Sequence, residues 1–211
     1  MFRIKVCGIT TWTDARRAVE CGADALGFNF CRPSPRYISP HAARRIIARL
    51  PQHVACVGVF VNESVETVLR ARNIAGIKLA QLHGEEPPEL VARIAERMVT
   101  IKAFRMAPGF RPAAMARYKT AAAFLLDGFS PRLRGGTGRT VDWQLARRAA
   151  RYGPIILAGG LGPENVAEAM RTARPAALDV NSGVESKPGH KDAAKLRAFF
   201  QAVESVKEYF S

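Results

Sequence analysis

Arg3-Ile4-Lys5-Val6-Cys7-Gly8-Ile9 reads as a short apolar strand that stops abruptly at a cysteine and a glycine, and the rest of the chain repeats that unit. Apolar runs bounded by glycine or polar residues recur at 4–6, 25–30, 55–60, 77–82, 99–104, 123–126, 155–158 and 177–180. Between them lie amphipathic segments whose starts carry a cap or an early proline: Thr13-Asp14, Ser39-Pro40, Asn62-Glu63-Ser64, Glu86-Pro87-Pro88, Asp142 and Gly162-Pro163-Glu164. The fifth helix is the weakest, a short segment at 113–118 broken up by Pro108, Gly109 and Pro112. Short, nearly continuous apolar strands alternating with helices indicate parallel βαβ units covered on both faces. Eight such units in 211 residues predict an α/β fold, a single-domain (β/α)8 TIM barrel over 1–211, near the lower size limit of that architecture. An open doubly wound sheet would need a dinucleotide fingerprint after the first strand, and Cys7-Gly8-Ile9-Thr10 is not one.

Composition narrows the class. The apolar share of 48% suits a globular protein. No apolar run approaches the ~20 residues of a membrane helix, and the first residues lack a signal-peptide core, so a cytoplasmic protein without membrane contact is expected. Cys7, Cys21, Cys31 and Cys56 show no paired spacing, which predicts reduced thiols, with Cys21 and Cys56 in the core. The four histidines show no metal-ligand spacing, and neither metal nor cofactor is expected. A net charge of +14 admits a nucleic-acid footprint or a basic surface around a site for a small anion. Pairs such as Arg16-Arg17, Arg44-Arg45 and Arg147-Arg148 are spread over separate helices among alanines and acids, which favours solvated faces over a specific nucleic-acid partner.

In such a barrel the strand C-termini and the loops after them form the active site. Those ends carry Cys7-Gly8, Asn29-Phe30 with Arg36 beyond, Gln81-Leu82-His83-Gly84, Asp127-Gly128, Ala158-Gly159-Gly160 and Asn181-Ser182-Gly183. Glycine pairs after strands 7 and 8 fit a phosphate cradle, because glycine lets backbone N–H groups approach an anion and the Ser182 hydroxyl adds a donor. Gly159, Gly160, Ser182 and Gly183 are therefore candidate phosphate ligands. A third cluster, Arg134-Gly135-Gly136-Thr137-Gly138-Arg139, is either a lid over an anion or a flexible loop. Asp127 closes an apolar run where packing gives it no purpose, and Cys7 is either a reactive thiol at a strand end or, equally, a small buried apolar residue. If Lys5 points inward with Cys7, its ammonium is expected to lower the thiol from ~8.5 toward the working pH. His83 is a site-lining or a structural residue.

Nine blocks in order carry a resemblance over essentially the whole chain: Lys5-Val6-Cys7-Gly8-Ile9-Thr10, Gly22-Ala23-Asp24-Ala25-Leu26-Gly27-Phe28, Ser34-Pro35-Arg36-Tyr37, Val57-Gly58-Val59-Phe60, Gln81-Leu82-His83-Gly84, Leu126-Asp127, Gly135-Gly136-Thr137-Gly138, Leu157-Ala158-Gly159-Gly160-Leu161, and Asp179-Val180-Asn181-Ser182-Gly183-Val184-Glu185. The chain resembles the phosphoribosylanthranilate isomerases of tryptophan biosynthesis. The resemblance implies a cofactor-free Amadori rearrangement of a phosphorylated small molecule by a monomer or homodimer. It makes Asp127 the acid and Cys7 the base, and gives Arg36 the anthranilate carboxylate. It also places Gln81, His83, Gly136 and Asp179 among the substrate-binding residues. Those roles require Asp127 protonated, through desolvation, and Cys7 ionised. Another sugar-phosphate isomerase or synthase on the same barrel is the alternative within the fold.

Overall fold

The computed structural model describes residues 2–128 and 142–210. The eight strands are β1 (Ile4–Val6), β2 (Ala25–Asn29), β3 (Ala55–Phe60), β4 (Leu79–Leu82), β5 (Val99–Arg105), β6 (Ala123–Asp127), β7 (Ile155–Ala158) and β8 (Ala177–Val180). All pair in parallel in chain order, and β8 returns to β1 through Ile4 opposite Leu178, Lys5 opposite Asp179 and Val6 opposite Val180. The predicted closed barrel is the observed one.

Period-2 alternation divides the strands between two cores. Ala25, Val57, Ile101, Ala103, Ala123, Leu125, Ile156, Ala158 and Ala177 fill the barrel, closed below by Phe2. Small side chains dominate because the lumen is narrow. The outward positions, among them Leu26, Phe28, Phe60, Leu82, Leu126, Leu157 and Leu178, pack under the helices. These are α1 (Trp12–Glu20), α2 (Pro40–Ile47), α3 (Val65–Ala75), α4 (Pro88–Ala95), α5 (Trp143–Ala149), α6 (Val166–Ala173) and α7 (Ala193–Glu204). Among the described residues, no helix is long and apolar enough to cross a membrane.

Several expectations shift. The N-cap of α1 is Thr11, whose hydroxyl accepts from the Asp14 N–H, two residues before the predicted start. The α6 cap is Asn165 rather than the glycine and proline before it. In the fifth unit the helix is replaced by a 3-10 turn, Pro112–Arg117, as its prolines dictate. Ile77 packs into the outer core just after Gly76, the left-handed C-cap of α3, so β4 begins at Leu79. Cys21 caps α1 half-buried instead of joining the core, while Cys56 is buried as expected. All four cysteines are free. After β8 the chain also makes an antiparallel hairpin, β9 (Glu185–Lys187) with β10 (His190–Lys191), which the sequence reading lacks.

Candidate active site

The strand C-termini surround a cavity of about 320 Å³ lined by Cys7, Arg36, Gln81, His83, Asp127, Gly159, Gly160, Asp179 and Ser182, with Asn29, Val59 and Asn181 between them. Nine predicted site residues therefore meet in one place. Gly183 does not line it: a Cβ there would stand 1.9 Å from the Leu161 carbonyl oxygen, so this glycine lets the β8 loop lie against the β7 loop. Gly136 and its glycine-rich neighbours lie outside the described residues. A larger cleft, about 660 Å³, runs between α1 and α7 on the outside of the barrel and collects none of these groups.

Lys5 and Cys7 point into the barrel because they alternate with Val6 and face Ala25 and Gly27 on β2. Gly27 makes room for them, since a Cβ there would sit 2.7 Å from Cys7 Sγ and 3.0 Å from Lys5 Cε. Lys5 is fully buried and donates to Asp179 Oδ2 at 2.7 Å, directly across the seam that closes the barrel. Burial works against the Lys5 charge, but Asp179 and Cys7 beside it hold the ammonium above its usual range. Burial in turn lifts the Asp179 carboxyl against the pull of Lys5. The expected tuning of Cys7 is corrected by the same geometry. Burial pushes the thiol up, Lys5 and Lys191 pull it down, Asp179 opposes them, and burial prevails.

Lys191, on the unforeseen hairpin, is the second cation near Cys7. It is buried and donates to Glu185 Oε1 at 3.0 Å, Asn181 Oδ1 at 3.0 Å and the Asn181 carbonyl at 3.3 Å. Glu185 also takes Arg36: Nε donates at 3.0 and 3.1 Å and Nη2 at 2.7 Å. One edge of the Arg36 fork is thus committed to Glu185, which orients the guanidinium at the cavity. Neither Glu185 nor Lys191 stood out as functional in the sequence; the signal was two ionisable residues flanking a short turn whose side chains both fold inward.

Asp127 is corrected as well: its side chain is 32% exposed, not desolvated, and Oδ2 lies 3.2 Å from His83 Nε2. Gln81 Nε2 donates to His83 Nδ1 at 2.9 Å, which leaves the ring proton on Nε2, facing Asp127. Gln81 Oε1 and Asp179 Oδ1 are buried with no partner among the described residues. Both residues line the cavity, with these two oxygen atoms turned out of reach of solvent. Gly159 and Gly160 hold φ of +86° and +66°, and a Cβ on Gly159 would fall 2.1 Å from the Gly128 nitrogen, so this turn admits glycine only. Among the described residues no cluster of metal-ligating side chains occurs.

Comparison with known proteins agrees with this geometry. The family model for N-(5'-phosphoribosyl)anthranilate isomerase matches residues 4–202. The N-(5'-phosphoribosyl)anthranilate isomerase of Geobacter metallireducens is 49% identical over 201 residues, covering 95% of this chain and 98% of the relative. The crystal structure of phosphoribosyl anthranilate isomerase from Thermotoga maritima superposes with a TM-score of 0.89 at 44% identity, over 97% of this chain and all of that one. A phosphoribosyl anthranilate isomerase in complex with reduced 1-(o-carboxyphenylamino)-1-deoxyribulose 5-phosphate gives 0.87 at 42% identity, with 97% and 100% covered.

Proposed function

The chain belongs to the N-(5'-phosphoribosyl)anthranilate isomerase family, and from that premise we propose how its own residues perform the reaction. It converts N-(5-phosphoribosyl)anthranilate to 1-(2-carboxyphenylamino)-1-deoxyribulose 5-phosphate in tryptophan biosynthesis. Asp127 gives a proton to the furanose ring oxygen while the nitrogen lone pair expels that oxygen from C1, opening the ring to a Schiff base. The Cys7 thiolate then takes the proton from C2, and the C=N electron pair settles on nitrogen as an enolamine. Tautomerisation leaves a ketone at C2 and a methylene at C1, so no atom is gained or lost. The observation that carries this assignment is that Cys7 and Asp127, 120 positions apart in sequence, line one cavity from β1 and β6.

The remaining groups orient and bind. The free edge of Arg36 meets the anthranilate carboxylate, whose planar geometry suits the fork. The Gly159-Gly160 turn and Ser182 cradle the phosphate. Gln81 and Asp179, which line the cavity between these groups, flank the sugar. His83 holds Asp127 in place. The thiolate is a minority form in the free chain, given the direction of the Cys7 shift, and Lys5 and Lys191 are the charges that favour its formation against burial.

The test is consumption of freshly generated phosphoribosylanthranilate, followed by its fluorescence. Cys7→Ala and Asp127→Asn should each lower kcat by ~10² or more with KM nearly unchanged, because each removes a proton-transfer group and not a binding contact. Wild-type kcat in either variant would sink the assignment of that residue.

A further inference from the structure

Beneath the rim, away from the cavity, a third buried ion pair grips the loop that carries His83. Lys102 lies on β5 between the inward residues Ile101 and Ala103, so it points outward under the helices, and it is 2% exposed. Its ammonium meets four oxygens: the carbonyls of Leu82 at 3.2 Å, Gly84 at 2.7 Å and Ala103 at 2.9 Å, and Glu86 Oε2 at 3.0 Å. The Leu82 and Gly84 carbonyls belong to the residues immediately before and after His83. Glu86, equally buried, binds the same loop from the other side. Its Oε1 accepts from the Asn62 N–H at 2.9 Å, and both its oxygens accept from the Gly84 N–H at 3.0 Å. The loop has no slack: His83 donates its N–H to the Phe60 carbonyl at 2.8 Å, and a Cβ on Gly84 would stand 2.2 Å from Asn62 Oδ1.

Burying an ammonium and a carboxylate is a poor route to stability, since well-packed apolar residues of the same volume usually serve as well. What charges supply and apolar groups do not is directed bonding at several fixed points. Here those points are the main chain on both sides of a single side chain.

We propose that the Lys102–Glu86 pair is a positioning device for the reaction, fixing the backbone on either side of His83 and so holding its ring on Asp127 without touching substrate. The proposal rests on Asp127 being the acid. It assigns work to a lysine and a glutamate that line no part of the cavity.

The experiment uses the full chain with both charges removed together, Lys102→Met with Glu86→Gln, so that neither is left buried and unpaired. This double variant should melt cooperatively, keep KM within about threefold, and lose about 10- to 100-fold in kcat, the range for groups that orient a functional side chain from behind. In a His83→Asn background the same two changes should alter kcat by less than about twofold, because the residue they act through is already gone. Unchanged kcat, a rise in KM alone, or an equal loss in both backgrounds would overturn the proposal. Should the double variant not fold, Tyr118→Phe removes only the hydroxyl bond to the Glu86 carbonyl, 3.1 Å long. It should then cost a few-fold in kcat with His83 present and nothing in His83→Asn; identical behaviour in the two backgrounds overturns the proposal. Asp127→Asn, run alongside, separates the two ideas. If it keeps wild-type kcat the acid assignment falls and the positioning proposal with it, whereas a dead Asp127→Asn beside a fully active double variant overturns the positioning proposal alone.

Discussion

Replacing Glu185 with glutamine asks whether Arg36 is held in place by charge. The substitution keeps the shape of the side chain and removes the carboxylate that Arg36 and Lys191 share, 2.7 to 3.1 Å from their nitrogens. At an effective dielectric of 20, each contact near 3 Å has a gross Coulomb energy of about 5 kcal/mol before desolvation. Removing one member of a buried pair costs 3–5 kcal/mol, chiefly through the partner left uncompensated. Lys191 is that partner; Arg36, one-fifth exposed, is screened and adds less. A loss of about 3 kcal/mol at neutral pH is therefore expected. Burial pushes the Glu185 carboxyl up, but Arg36 and Lys191 outweigh it and hold it below the usual carboxylate value. A folded-state value below the unfolded one makes the stabilisation complete above the ordinary carboxylate range and progressively lost as pH falls through the folded value. Urea unfolding should thus show the full gap between wild type and Glu185→Gln near pH 7, shrinking once the pH falls below about 4.5. If Arg36 binds the substrate carboxylate as proposed, it does so in ground and transition states alike, and KM should rise about tenfold with kcat within twofold. A gap under about 1 kcal/mol at neutral pH, or one that persists unchanged into acid, would refute the reasoning.

Two further outcomes follow from the cavity walls. Alkylation of Cys7 by iodoacetamide should accelerate only above the ordinary thiol range, because burial prevails there, and Lys191→Met should move the profile further up by removing one attractive charge; an unmoved profile would show that Lys191 does not act on the thiol. Gly159→Ala should bind product at least about tenfold more weakly by titration calorimetry, since its φ of +86° alone costs an alanine about 1–2 kcal/mol and the Cβ meets the Gly128 backbone, and wild-type affinity would count against the phosphate cradle.

The barrel was legible because its signal is local. Eight apolar runs, each closed by a glycine or polar residue, need no knowledge of what they touch, and seven of them keep their starting residues in the structure. At Ile77 the sequence is ambiguous, because an apolar residue after a helix C-cap looks the same whether it joins a strand or the outer core. The rim residues were legible for the same reason, as polar groups at strand ends. The charges that hold them were not, since Arg36 and Glu185 lie 149 positions apart and meet only through barrel closure. Two clues stood in the sequence nonetheless. Lys102 interrupts an apolar strand at an outward position, and Lys5 and Asp179 put opposite charges at facing positions of the first and last strands.

The charge of +14 sits differently from what the site alone would suggest. Inside the barrel and under its rim, Lys5 meets Asp179, Lys102 meets Glu86, and Arg36 and Lys191 meet Glu185. Cations of the surface helices, such as Arg16, Arg93 and Arg148, are more than half exposed, and their acidic partners stand 3.6 to 3.7 Å away, contacts of little strength in water. The positive excess is therefore peripheral, and its field fades beyond about 10 Å at 0.1 M salt. On the proposed reading, recognition within the cavity falls to directed groups: the free edge of Arg36, a glycine turn and the side chains of Gln81 and Asp179. The pairing keeps Lys5, Lys102 and Lys191 each beside an acidic group inside the fold, where a cation left without one would cost several kcal/mol.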